Sequence, residues 1–573
     1  MHSSGRITAL VCGFYFGSLL GCGTGSASDG AGSGGTGGAA GNTLPAGGSG
    51  NGASAGAPGA GSGATAASSQ AGMGNPGGGA NGGSAGAAGS GGATMIPPAD
   101  RGATLPFLEY EAETGDTNGM VLGPSRKTGI SNDVAAESSQ RKAVKLSATG
   151  QYVKIKSTNA ANSIVVRVSV PDSADGQGAA STLSVYVNGT FKQKLNVTSR
   201  YSWTYGTAIS PSSNNPADGN AHHFYDETHA IVGDIPVGAT VAVQKDADDS
   251  AAYYVVDLID LENVGAPLPA PANFISIADC GATPNDASDD RAAIQSCIDK
   301  AKTANRGLYI PQGTFNVLSK ANDKDTAGLN IDNVTIRGAG MWYSTLSGIW
   351  ASLYCYGNNC KYSDFAVFGD TTNRDDNGPN SDFGGPTGSG SSLSNIWMEH
   401  STTGYWVGPN ANGLTVSNCR IRDLYADGVN FYGGTSNSTV TQTHFRNTGD
   451  DAMASWSRAP VPGFTPGTNT NNAFTFNTVQ APWLANCFGI YGGNDTKVED
   501  NICSDTVMFP GILIAQQFDS MSFGGTTTIA RNSLERDGGF DFGDGQCALK
   551  LFADQGAMSG FLLKDLLISD SSY

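Results

Sequence analysis

Three aspartates, Asp427, Asp450 and Asp451, are the residues of this 573-residue sequence whose types and spacing most invite chemistry. Asp427 stands in Ala426-Asp427-Gly428-Val429-Asn430-Phe431, and the pair stands in Asn447-Thr448-Gly449-Asp450-Asp451. Three carboxylates packed together repel, and at least one is pushed toward its protonated form. That is a poor way to build a scaffold and a good way to build an acid and a base. Inverting hydrolysis of a glycosidic bond needs both: one protonated carboxyl for the leaving group and one ionised carboxylate for the attacking water. The bland alternative is a set of acidic turn residues, some of which bind Ca²⁺ on such scaffolds.

What would bring them together is an internal repeat. Segments starting at Leu393, Val416, Val440, Phe474, Val498 and Ile529 align, with starts 23, 24, 34, 24 and 31 residues apart. A period of 23 to 24, lengthened in places by insertions of seven to ten, fits coils of three short strands with loops at one corner. The repeats are rich in Val, Ile, Thr and Asn, which disfavours a helical solenoid. A right-handed parallel β-helix is expected. Asp427 lies 11 residues after Val416 and Asp451 lies 11 after Val440, so both occupy one column on consecutive coils, roughly 4.8 Å apart. Asn486 takes that place on the next coil, and Asp450 must project differently.

The same register suggests substrate contacts. Tyr432, Trp456 and Tyr491 each lie five residues after Asp427, Asp451 and Asn486. With Val429, Met453 and Phe488 pointing inward, strand alternation turns the three aromatics outward, as an exposed stripe on which a sugar could stack. A stack buried under a loop is the competing reading. The insertion 457–470 leaves the coil beside Asp451 and is expected to wall the cleft. These three aromatics and Asn486 are the candidate substrate-binding residues.

Upstream of the repeat, Ser288-Asp289-Asp290 precedes apolar residues at helical spacing, as expected of a helix capping the open end of the coil. Eight cysteines lie in the β-helix region 271–573. In an exported protein they suggest disulfides, with Cys280–Cys297 pinning the cap helix and Cys355–Cys360 closing a loop. Cys487 adjoins Asn486, but thiolate catalysis would need a basic partner, and no histidine lies near it in sequence.

Residues 101–270 read as an antiparallel β-sandwich of seven to nine strands, with Val187-Asn188-Gly189-Thr190 as a hairpin signal. Its Tyr110-Glu111-Ala112-Glu113 opening and Val256-Asp257 to Glu262 close resemble carbohydrate-binding modules of families 6 and 35. The resemblance implies a structural Ca²⁺ held by Glu111, Glu113 and Asp257, a suitable set of hard oxygen ligands. Otherwise these acids are solvated strand residues. Trp203 and Tyr205 could stack on sugar or fill the core.

Residues 1–22 carry Arg6, a short apolar run and Leu19-Leu20-Gly21-Cys22, which resembles the bacterial lipobox and implies export with lipidation at Cys22. Residues 23–100 are Gly, Ala, Ser, Thr and Asn, the composition of a flexible tether. The formal charge of −18 argues against nucleic acid or an anionic membrane surface as partner.

The Asp427 and Asp450-Asp451 motifs, with Val334-Thr-Ile-Arg-Gly-Ala-Gly-Met-Trp342 and Ser436-Asn437-Ser438-Thr439, resemble glycoside hydrolase family 87, the α-1,3-glucanases and mycodextranases. The likeness runs from about residue 105 to the end. It implies endo-hydrolysis of α-1,3-glucosidic bonds with inversion by Asp427, Asp450 and Asp451, without a catalytic cofactor, in a monomer. Geometry assigns Asp450 as general acid, with Asp427 and Asp451 positioning water. Whether the polymer is pure α-1,3-glucan or the alternating α-1,3/α-1,4 polymer is open.

A family 28 polygalacturonase would also need Gly-His-Gly and Arg-Ile-Lys downstream. Neither occurs, and His444 is the last histidine. A pectate lyase would need a Ca²⁺ cluster with a catalytic Arg or Lys. A non-catalytic β-helix surface binder is the rival from another class. By the repeat register the sequence stops in mid-coil at Tyr573, so a chain lacking its last coils is expected.

Overall fold

A computed structural model of the chain describes residues 100–573 except 128–132, 208–209, 323–326, 377, 379–380 and 542–543. The export segment with Cys22 and the Gly/Ala/Ser-rich segment up to residue 99 lie outside the described residues.

The first described part is an antiparallel sandwich of a six-stranded and a five-stranded sheet, richer in strands than expected. The larger sheet runs Asp226–Ile235, Ala161–Ser169, Tyr254–Glu262, Ala143–Leu146, Met120–Leu122, and Phe107–Glu111 pairs with Tyr254–Glu262. The inward residues of alternating strands, among them Val144, Ile164, Val166, Leu183, Val185 and Val241, fill one core. Asn188 and Gly189, both in the left-handed region, make the expected two-residue hairpin between Ala180–Val187 and Thr190–Thr198.

From Phe274 onward the chain coils into a parallel β-helix. Leu393, Val416, Val440, Phe474, Val498 and Ile529 stand opposite one another on successive coils, as the repeat alignment requires. All six are buried, because each coil turns one apolar residue of this column into the shared interior. A second face is a nine-stranded parallel sheet that includes Thr403–Val407, Val429–Tyr432, Met453–Trp456, Phe488–Tyr491 and Ile512–Gln516. The helix Arg291–Ala304 packs Ile294, Cys297, Ile298 and Ala301 on the end of the coil. Cys280–Cys297 and Cys355–Cys360 are bridged as suggested, and a third bridge joins Cys487 to Cys503.

Sandwich and coil share a buried charged seam. Arg422 and Arg446, outward on consecutive coils, reach Glu227 at 2.6 and 2.5 Å. Arg446 also reaches Asp260 at 3.1 Å and Glu109 at 2.6 Å. Buried charges of opposite sign matched in this way persist only while every partner is present.

Candidate active site

The corner preceding the nine-stranded sheet carries the candidate acids. Gly404 N donates to Asp427 O, Gly428 N to Asp451 O, and Ala452 N to Asn486 O, at 3.0, 3.0 and 2.8 Å. These three rungs place Asp427, Asp451 and Asn486 in one column on consecutive coils. Asp450, one residue out of that column, turns its carboxyl to the same point. One oxygen from each of Asp427, Asp450 and Asp451 lies within 4.8 Å of the others.

The three differ in surroundings. Asp427 and Asp451 are buried, whereas the Asp450 side chain keeps 23 % exposure. Burial pushes Asp427 well above the usual carboxylate range; the Asp450 and Asp451 charges add to this, while Arg374 and Asn430 oppose it. Asp451 is pushed up to about 7 by burial and then by Asp450, against the donors on Asn486 and Tyr491. Asn486 Nδ2 donates to Asp451 Oδ1 at 2.7 Å, and Tyr491 Oη donates to Oδ2 at 2.8 Å. The backbone also makes room: a Cβ on Gly489 would stand 2.0 Å from Asp451 Oδ2. Such an assembly holds protons and carboxylates side by side, as acid–base chemistry requires.

Arg374, which the sequence reading missed, completes the cluster. Its Nη1 lies 2.7 Å from Asp450 Oδ2, and its Nε donates to Asp376 at 3.0 Å. It sits in an insertion outside the repeat, so no periodicity marks it.

Tyr432, Trp456 and Tyr491 do face outward in one column, opposite one another on three strands. The expected exposed stripe is corrected by what covers them. Tyr432 and Tyr491 are buried, and only Trp456 is part-exposed. Trp406 packs on Tyr432 with ring centroids 5.4 Å apart, and Phe518 packs edge-on against Tyr491 at 5.4 Å. Tyr491 and Asn486, expected to touch sugar, both bond Asp451. The insertion 457–470 folds back on itself between Arg458 and Gly467 and lies on Gly433, where a Cβ at Gly467 would clash at 2.5 Å. Trp406, part-exposed beside Tyr432 and Trp456, was also missed, although it stands opposite Asn430 one coil earlier.

In the sandwich, Glu111 and Asp257 of the expected Ca²⁺ trio meet at Ser139, whose hydroxyl donates to Glu111 at 2.6 Å, and Glu113 acts on both carboxyls. Asp257, at a bulge in its strand, gives Oδ2 to the buried Arg167 and accepts from Ser139 N at 3.0 Å. Arg167 offsets part of its charge, yet burial still pushes Asp257 up to about 7, and Glu113 adds to the rise. Glu111 Oε2 and both Glu113 oxygens are buried without a hydrogen-bond partner, and burial raises both groups. Those three oxygens fit a hard cation. Trp203 and Tyr205 belong to the core: Trp203 packs edge-on against Phe224 at 4.9 Å, and the Tyr205 hydroxyl donates to Asp172 at 2.8 Å.

Residues 104–264 match the family model of the alpha-1,3-glucanase catalytic domain D1, and residues 287–555 match that of domain D2. No curated protein matches the chain. Among solved structures, the Agl-KA catalytic domain is similar at 29 % identity and a TM-score of 0.75, over 83 % of this chain and 86 % of that one. The catalytic unit of the thermostable GH87 alpha-1,3-glucanase from Streptomyces thermodiastaticus strain HF3-3 shares 32 % identity, with a TM-score of 0.69 over 82 % and 84 %. A GH87 alpha-1,3-glucanase catalytic domain in complex with nigerose shares 30 % identity, with a TM-score of 0.70 over 82 % and 84 %. With both catalytic-domain models matched in order around a cluster of three carboxyls, the chain belongs to the GH87 alpha-1,3-glucanase family of glycoside hydrolases.

Proposed function

We propose that this chain is an endo-acting hydrolase of α-1,3-glucosidic bonds that inverts the anomeric centre, with Asp427, Asp450 and Asp451 as its catalytic carboxyls. The convergence of one oxygen from each within 4.8 Å carries the reading. The relatives support it. GH87 alpha-1,3-glucanase catalytic domains with single aspartate-to-alanine changes form complexes with nigerose or tetrasaccharides, and the changed positions lie 23 residues and one residue apart, as Asp427, Asp450 and Asp451 do.

Asp450, the most exposed of the three, is the one a glycosidic oxygen reaches, which supports it as general acid above a floor of Asp427 and Asp451 holding the water. The contact with Arg374 favours a second assignment. An ion pair uses Asp450 as a carboxylate and leaves the site's proton to Asp427, which burial already drives toward the protonated form. Incubation with α-1,3-glucan, followed by early NMR of the products, tests the activity. A β-anomer is expected, and an initial α-anomer would mean a covalent intermediate. The same product profile on the alternating α-1,3/α-1,4 polymer decides the substrate.

Two further readings go with it. A Ca²⁺ held by Glu111 and Glu113 would satisfy their three unpartnered oxygens; chelation should then lower the Tm of the calcium-loaded full chain. Export and lipidation at Cys22 rest on the Leu-Leu-Gly-Cys signal, and Cys22→Ser should release the protein from membranes.

A further inference from the structure

We propose that Arg374 is a positioning residue for Asp450, and that the β-sandwich holds it there through Arg200 and Asp370; this rests on the reading of Asp450 as a catalytic carboxyl. Arg374 rides on an insertion that leaves the coil after strand Lys361–Phe368 and returns at Ser381–Gly385. The sandwich grips the start of this insertion. Arg200 forks onto Asp370 with contacts of 3.0 and 3.1 Å, and the Tyr201 hydroxyl donates to the same carboxylate at 2.8 Å. Asn214 Nδ2 donates to Thr372 O at 2.7 Å, and Asn373 Nδ2 donates to Ser212 O at 3.4 Å. One residue later, Arg374 meets Asp450.

The chemistry of the guanidinium suits this task. Its planar fork points Nη1 at Asp450 and Nε at Asp376 at the same time, fixing a direction that an ammonium could not. The sandwich touches the turn of Asp450 from a second side as well. Arg167 Nη2 donates to Asn447 Oδ1 at 3.0 Å, three residues before Asp450, and Asp257 anchors that arginine. Asp450 is thereby set between two arginine-borne struts, both rooted outside the coil.

The outer link is a good place to test this. Arg200 and Asp370 are about two-fifths exposed, and pairs of that kind contribute little to stability. The Tm of the full-length Arg200→Ala protein should therefore stay at the wild-type value. Its kcat on α-1,3-glucan should fall several-fold with KM nearly unchanged. Arg374→Gln should lower kcat by roughly 10- to 100-fold, the scale on which small misplacements act. It should also move the pH-profile limb belonging to Asp427 to higher pH, because the Arg374 charge opposes the rise of that group. Arg374→Lys should restore part of kcat.

Crystal structures of the variants give a readout that does not depend on activity: the Asp450 carboxylate should be displaced in Arg374→Gln and, less so, in Arg200→Ala. An Arg374→Gln protein with wild-type kcat and an unmoved Asp450 overturns the role of Arg374. An Arg200→Ala protein with Arg374 still on Asp450 and wild-type kcat overturns the part given to the sandwich. Should the wild type fail to hydrolyse α-1,3-glucan, the proposed function fails by itself, and the position of Asp450 in the variant crystals decides the inference.

Discussion

The Tyr491 hydroxyl donates to Asp451 Oδ2 at 2.8 Å across one coil step, while a Cβ on Gly489 would stand 2.0 Å from the same oxygen. Two residues of one strand thus define where the Asp451 carboxylate can be, one by a bond and one by having no side chain. Gly489→Ala should fold but push the carboxylate off Tyr491 and Asn486. A kcat loss of roughly 100-fold is expected. Tyr491→Phe should cost less, because Asn486 still holds Oδ1. Steady-state kinetics on α-1,3-glucan with circular dichroism as a fold check measures both; wild-type kcat in Gly489→Ala would refute the geometry.

Single Asn replacements divide the acid and base roles. If Asp450 is the acid, Asp450→Asn should lose roughly 10² to 10⁴ in turnover on glucan and much less on an activated α-glucoside, whose leaving group needs no proton. Asp427→Asn and Asp451→Asn should then impair both substrates alike. The opposite pattern, with Asp427→Asn rescued by the good leaving group, would assign the proton to Asp427.

The buried carboxyls also predict how stability depends on pH. In the folded protein, burial and two neighbouring carboxylates hold Asp427 well above its unfolded value of about 3.9. The native state then binds a proton that the unfolded chain has released, so stability falls as pH rises from that unfolded value through the raised folded one. Asp427→Asn removes this loss. Its Tm should match wild type near pH 4 and exceed it by pH 8, a divergence that thermal melts across this range would reveal. Equal slopes would mean that Asp427 remains ionised in the fold.

The charged seam should make sandwich and coil one cooperative unit. Arg446→Met leaves Glu227, Asp260 and Glu109 short of a partner in a buried setting. A loss of about 3–5 kcal/mol is expected from breaking such a network on one side. Denaturant unfolding should remain a single transition with a lowered midpoint; two separate transitions in the wild type would show that the sandwich stands alone.

The column positions of the site were legible in the sequence. A repeat of 23 to 24 residues with strand alternation is a local property, so it could place Asp427, Asp451 and Asn486 in one column and Tyr432, Trp456 and Tyr491 in another. Two of the disulfides were legible for the same reason, each closing a short stretch of chain. What the columns touch was decided by the tertiary structure. Periodicity says that Tyr491 leaves the coil, but only the tertiary structure packs it against Phe518 and sets its hydroxyl on Asp451. Arg374 comes from an insertion 76 residues before Asp450, and Arg167, paired with Asp257 on the neighbouring sandwich strand, reaches across to Asn447 of the coil. Partners of that kind are chosen by the closest approach of separate elements and by the need of buried charges for opposite charge, neither of which leaves a period in the chain.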